Sequence, residues 1–176
     1  MKHETNPHHR RSIRLKEYDY TQNGAYYVTI CTQDKKCVLS NIVNEKTILT
    51  NYGKIVEEEW LKTKSIRPYV DLDYYVIMPN HFHGILFINK NKGKGVKLHA
   101  PTNNFKLQPH SLGSIMRGFK SSVTSRINKT QNTPGRKLWQ RNYYEHIIRN
   151  DDDLNRVREY IKNNPIKWSM DKNYRK

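Results

Sequence analysis

Apolar and polar positions recur along this chain in two rhythms, one of period two and one of three to four. Residues 25–32, Ala-Tyr-Tyr-Val-Thr-Ile-Cys-Thr, are β-branched and aromatic and predict a strand. Gln33-Asp34-Lys35-Lys36 is a turn signal, and residues 37–39 could pair back on that strand. Tyr52, Val56 and Trp60 recur every four residues, which predicts a helix from a Thr50 or Asn51 cap to about Lys64. Residues 72–88 are the most apolar stretch, and Pro79-Asn80 splits them into strands at 74–78 and 81–88. Residues 89–110 are polar, Lys-rich and without period, which reads as a loop of unusual length.

Leu112, Ile115, Met116, Phe119 and Val123 then mark one face of a second helix. Residues 138–148 read as a further strand. Asn150 to Asp153 cap a last helix, placing acidic groups at the positive end of its dipole. Leu154, Val157 and Ile161 are its apolar stripe, and Pro165 ends it. The order β(β)αββαβα predicts an α+β fold, one sheet with helices packed on it. A single domain is expected over residues 21–165, between a basic arm at 1–20 and a short basic tail at 166–176.

Composition narrows the function. The chain has 176 residues, enough for one domain of ordinary size. Lys and Arg number 32 against 16 Asp and Glu, a formal net charge of +16. That excess points to a polyanion, nucleic acid first and an anionic membrane surface second. No apolar run reaches the ~18 residues of a membrane span, and residues 1–14 carry no apolar core of a secretory signal. Two cysteines, Cys31 and Cys37, make neither a disulfide framework nor a four-thiolate zinc site. The expected compartment is the cytoplasm. P-loop, GxSxG and HExxH motifs are absent.

Three constellations could carry chemistry. His81-Phe82-His83 lies in a predicted strand, so both imidazoles share one face and could take two corners of a metal's coordination sphere. The plainer alternative is two strand histidines with local hydrogen bonds. Tyr160 and Asn164 stand at i and i+4 on the last helix, where a phenol could be a nucleophile and an amide a neutral oxygen ligand. The plainer alternative is an amphipathic tyrosine beside a polar helix end. Asn163 is an equally polar neighbour, and Tyr143 and Tyr144 are rival nucleophiles. Glu145 and His146 would face opposite ways and form only a weak acid–base pair. The third feature is basic charge interleaved with twelve tyrosines, suited to phosphates and unpaired bases.

The ordered set of these strings resembles the single-tyrosine HUH transposases of bacterial insertion sequences, named for His, a hydrophobic residue, His. The segment Tyr75-Val76-Ile77-Met78-Pro79-Asn80-His81-Phe82-His83-Gly84 carries the likeness. The strings at 139–150, 11–16 and 159–165 look more like one branch, the REP-associated tyrosine transposases. The resemblance implies a ferredoxin-like antiparallel sheet with helices packed on it, the HUH endonuclease fold. It implies Tyr160 as nucleophile and His81, His83 and Asn164 as ligands of one divalent metal. By softness the donor set suits Mn, Co or Zn, whereas the resemblance implies Mg2+ or Mn2+.

The implied reaction is metal-dependent cleavage and rejoining of single-stranded DNA through a 5′-phosphotyrosine. The implied partners are DNA hairpins, contacted by Arg10, Arg11, Arg14, Arg117, Lys120, Arg126 and Arg141. A monomer or homodimer, acting in the bacterial cytoplasm at the nucleoid, is expected. The competing readings are a ferredoxin-like nucleic-acid-binding module that does not cut, or a domesticated transposase that only binds hairpins.

Overall fold

A computed structural model describes residues 18–90 and 108–175. Arg10, Arg11, Arg14 and most of the loop expected at 89–110 lie outside these residues. The elements are β1 (Gly24–Cys31), β2 (Ser40–Val43), β3 (Lys46–Leu49), α1 (Asn51–Ile66), β4 (Val70–Ile77), β5 (His81–Ile88), α2 (Leu112–Gln131), β6 (Tyr144–Ile148) and α3 (Asp151–Asn163).

Four strands form one sheet in the order β4-β5-β1-β6, and every neighbouring pair is antiparallel. With the β2–β3 hairpin set aside, β1-α1-β4-β5-α2-β6 is the βαββαβ ferredoxin-like order. Alternation along the strands divides the interior in two. Tyr26, Val28, Ile30, Phe82 and Leu86 pack under α1 and α2, with Trp60, Ile115 and Phe119. Tyr27, Ile85 and Ile148 face the other way and meet Val157 and Ile161 of α3. The sheet is therefore covered on both faces, and the α3 face is the one that carries His81 and His83.

Local rules place the helices. Thr50 caps α1 by accepting from the Gly53 N–H, Ser111 caps α2 through Ser114, and Asn150 caps α3 through Asp153. Asn132 ends α2 in the left-handed conformation, with φ of 50°.

The structure departs from the sequence pattern in three places. Residues 37–39 do not pair back on β1. Leu39 N–H donates instead to Pro79 O at 2.9 Å, and the hairpin lies at β2–β3, turned by Asn44 and Glu45 at φ of 48° and 62°. The strand expected at 138–148 begins only at Tyr144. Trp139 makes one isolated bridge to Thr32, and the Lys120 ammonium takes the carbonyls of Gln140 and Arg141 at 2.6 and 3.1 Å. Those carbonyls thus have a side-chain partner in place of a ladder. β4 starts earlier than expected, because Asp71 and Asp73 are compensated by ion pairs to Lys64 at 3.2 Å and Arg158 at 2.6 Å. An ionic partner makes a charged residue tolerable in a half-buried strand.

Candidate active site

β5 and α3 build the site. His81 and His83 stand opposite Cys31 and Thr29 on β1, and both are buried, at 0% and 1% exposure. Their rings lie 4.5 Å apart. The chain turns into β5 at Asn80, itself fully buried, whose side chain determines how His81 is held. Asn80 Nδ2 donates to the carbonyls of Asn173 at 2.7 Å and Lys35 at 3.1 Å. Its Oδ1 must then face His81 Nδ1, 2.8 Å away, and can only accept. His81 therefore carries its proton on Nδ1 and presents the Nε2 lone pair. His83 Nδ1 lies 2.7 Å from the Tyr27 hydroxyl and 2.9 Å from Thr29 Oγ1. Thr29 donates to Tyr27 at 3.1 Å, which leaves the threonine oxygen to accept from His83 Nδ1–H.

Burial pushes the His81 pKa down to about 4, against the opposing effect of the Asp171 charge and the Asn164 carboxamide. His83 is driven well below the usual histidine range by burial and by His81. Both rings are neutral at pH 7, the state in which imidazole binds metal.

α3 is set in rotation by Val157 and Ile161 against the sheet, so Tyr160 and Asn164 follow on the adjoining face. The Tyr160 ring lies 5.4 Å from the His83 ring and meets Tyr27 edge-on at 6.2 Å, all within one chain. Tyr160 is 44% exposed, whereas Asn164 is 4% exposed. Burial raises the Tyr160 pKa, as does the Asp171 charge, while hydrogen bonding from Asn164 and Tyr27 works the other way.

Three buried acceptor atoms have no hydrogen bond: Nε2 of His81, Nε2 of His83 and Oδ1 of Asn164. Buried polar atoms in native proteins are nearly always partnered. Two bare imidazole nitrogens and an amide oxygen form a donor set that a divalent cation would satisfy. The pattern did not single out Asp171. Its carboxylate lies with the two histidine nitrogens in a group whose ligand atoms are all within 4.8 Å of one another. A cleft of about 560 Å3 runs past Tyr160, Asn164 and Asp171, and Arg156, Lys167 and Lys172 line it.

The other residues singled out in the sequence lie elsewhere. Asn163 lines the cleft but is only half-buried. Tyr143 packs against the core under α1 and α2. Tyr144 is on the site's face, 52% exposed, with its ring 6.2 Å from Tyr27 and the Lys172 ammonium 5.8 Å from its centroid. Glu145 stands opposite Val28 and His146 opposite Tyr27, so they take opposite faces, and His146 Nε2 is 2.8 Å from Asp153 Oδ2. Arg117 and Arg141 are exposed. Lys120 is occupied by backbone carbonyls, and Arg126 pairs with Glu58 at 2.6 Å and Glu59 at 2.8 Å.

No protein-family profile matches the chain. The fold is that of a REP-associated tyrosine transposase solved in complex with a REP hairpin, at TM-score 0.59 and 20% identity, covering 88% of this chain and 74% of that one. A Haemophilus influenzae protein of uncharacterised function is 44% identical over 171 residues, 95% of this chain and 94% of its own length. The two belong to one family. A second H. influenzae protein, provisionally named a REP-associated tyrosine transposase, is 27% identical over 151 residues, 85% of this chain and 74% of its own. The chain is thus a distant relative of the tyrosine transposases. Among the described residues, no helix is long and apolar enough to cross a membrane.

Proposed function

We propose that this protein is a REP-associated tyrosine transposase, a divalent-metal-dependent enzyme that cuts and rejoins single-stranded DNA at hairpins. The observation that supports this best is that buried acceptors on His81, His83 and Asn164 lack hydrogen-bond partners while the Tyr160 ring lies beside His83.

In this reading Mg2+ or Mn2+, held by His81, His83 and Asn164, supplies Lewis-acid stabilisation of the charge that develops on the scissile phosphate. Tyr160 is the nucleophile. Its Oη–P bond forms as the P–O3′ bond breaks, and the departing 3′ oxygen takes up a proton. A 5′-phosphotyrosine and a free 3′-hydroxyl result. The covalent link conserves the phosphodiester, so a second 3′-hydroxyl can reverse the step. Asn164 and Tyr27 act on Tyr160 by favouring the phenolate, whose formation burial opposes. The cations along the cleft receive the DNA backbone, and Arg117 and Arg141, exposed outside the cleft, are further phosphate contacts. In this reading Tyr160 acts with its own chain's His83, and adduct formed per chain is expected to be independent of protein concentration.

The test is incubation of single-stranded hairpin oligonucleotides with Mg2+, Mn2+ or chelator, using the wild type and Tyr160→Phe. A metal-dependent covalent adduct that is absent from Tyr160→Phe is expected. An adduct that persists in Tyr160→Phe would move the nucleophile, first to Tyr144. Tight hairpin binding with no adduct under any metal would replace the enzyme with a binding module.

A further inference from the structure

We infer that Asp171, on the segment after α3, is a fourth protein ligand of the site's metal, so that the C-terminal segment completes the site. This rests on the reading of the His81–His83 pocket as a divalent-metal site.

Position is the first argument. The ligand atoms of Asp171, His81 and His83 all lie within 4.8 Å of one another, a span that one bound ion could bridge. Nε2 of each histidine is buried and makes no hydrogen bond, so a carboxylate oxygen beside the two rings adds a third acceptor. Three acceptors gathered without a proton or a cation would repel one another.

The second argument is that the segment is fixed. One carboxylate oxygen of Asp171 accepts from Asn173 N–H at 2.6 Å, which orients the group. Asn173 is buried, and its carbonyl accepts from Asn80 Nδ2 at 2.7 Å. The same Asn80 side chain sets the tautomer of His81 at 2.8 Å. Trp168 adds a ring 5.9 Å from that of His81. A single buried amide therefore ties together a histidine ligand and the segment that delivers the carboxylate.

The third argument is chemical. His81, His83 and Asn164 are all neutral, a weak set for a hard cation. A carboxylate adds the missing charge and a hard oxygen. Four protein ligands on a cation of about six-fold preference leave about two positions for oxygens of a substrate or water.

The experiment is a Mn2+ titration of the full chain without DNA, read from the electron paramagnetic resonance of the free ion. Asp171→Asn keeps an oxygen for Asn173 N–H and removes the charge. It should weaken Mn2+ binding by about tenfold or more. Asp152→Asn, in the exposed first turn of α3, should bind as the wild type does. Metal-free thermal unfolding of Asp171→Asn should show no loss of stability against the wild type, because the repulsion among unpaired acceptors is relieved, while the upward shift in Tm on adding Mn2+ should shrink. Wild-type affinity and an undiminished Tm shift in Asp171→Asn, with binding lost in His83→Ala, would overturn the role of Asp171 and leave the proposed function standing. A wild type that binds no Mn2+ would overturn both.

Discussion

Asn80 makes three side-chain hydrogen bonds in directions that only a carboxamide supplies, two as donor and one as acceptor. Aspartate has no N–H for the two carbonyls, and leucine would strand all three partners in a buried site. Asn80→Ala should therefore cost roughly 2–4 kcal/mol, measured by urea denaturation, because buried partners are left unsatisfied. It should also weaken Mn2+ binding, since His81 is then free to place its proton on Nε2. Unchanged stability in that variant would mean that the three contacts are not formed together. Gly84, next to His83, is a second residue whose identity follows from its neighbours. A Cβ there would come within 2.7 Å of Phe82 and 2.8 Å of Trp60. Gly84→Ala should cost about 1–3 kcal/mol through overpacking, with the loss visible in the same denaturation curve.

At the scale of the element, α3 is the part whose placement decides the chemistry. Its N-terminus is anchored by Asp153, which is buried and accepts from His146 at 2.8 Å and Arg156 at 2.6 Å. Burial alone would raise the Asp153 pKa, but hydrogen bonds from His146 and Arg156 hold it below its ordinary value. A carboxylate with a depressed folded pKa stabilises the fold above its unfolded value and loses that contribution as pH falls through the folded one. Asp153→Asn should then be less stable than the wild type at pH 7, and the gap should close below about pH 4. Acid titrations followed by circular dichroism would check this. A gap that stays constant with pH would show that the contacts of Asp153 do not depend on its charge.

At the scale of the whole molecule, the net charge of +16 sets the expected binding behaviour. Hairpin affinity should fall steeply with salt as counterions are released. Arg117→Ala should lower the salt slope by about one, whereas Arg126→Ala should act mainly on stability, because its guanidinium is already paired with Glu58 and Glu59. Fluorescence anisotropy at several salt concentrations separates the two. Equal loss of slope in both variants would place Arg126 on the DNA as well.

The sequence by itself determined the strand of His81 and His83, their shared face, the capping regions of the first and last helices and the excess of positive charge, because each is a matter of local spacing and composition. It also placed Tyr160 and Asn164 one helical turn apart. Tertiary structure alone decided that α3 crosses the histidine face of the sheet, since this depends on Val157 and Ile161 meeting Tyr27, Ile85 and Ile148 across long separations. It alone shortened the strand before α3, where Lys120 of α2 captures the carbonyls of Gln140 and Arg141. Asp171 was illegible for the same reason. A lone aspartate in a basic tail has no pattern around it, and it reaches the histidines through long-range contacts such as that of Asn80 with Asn173, 93 residues away.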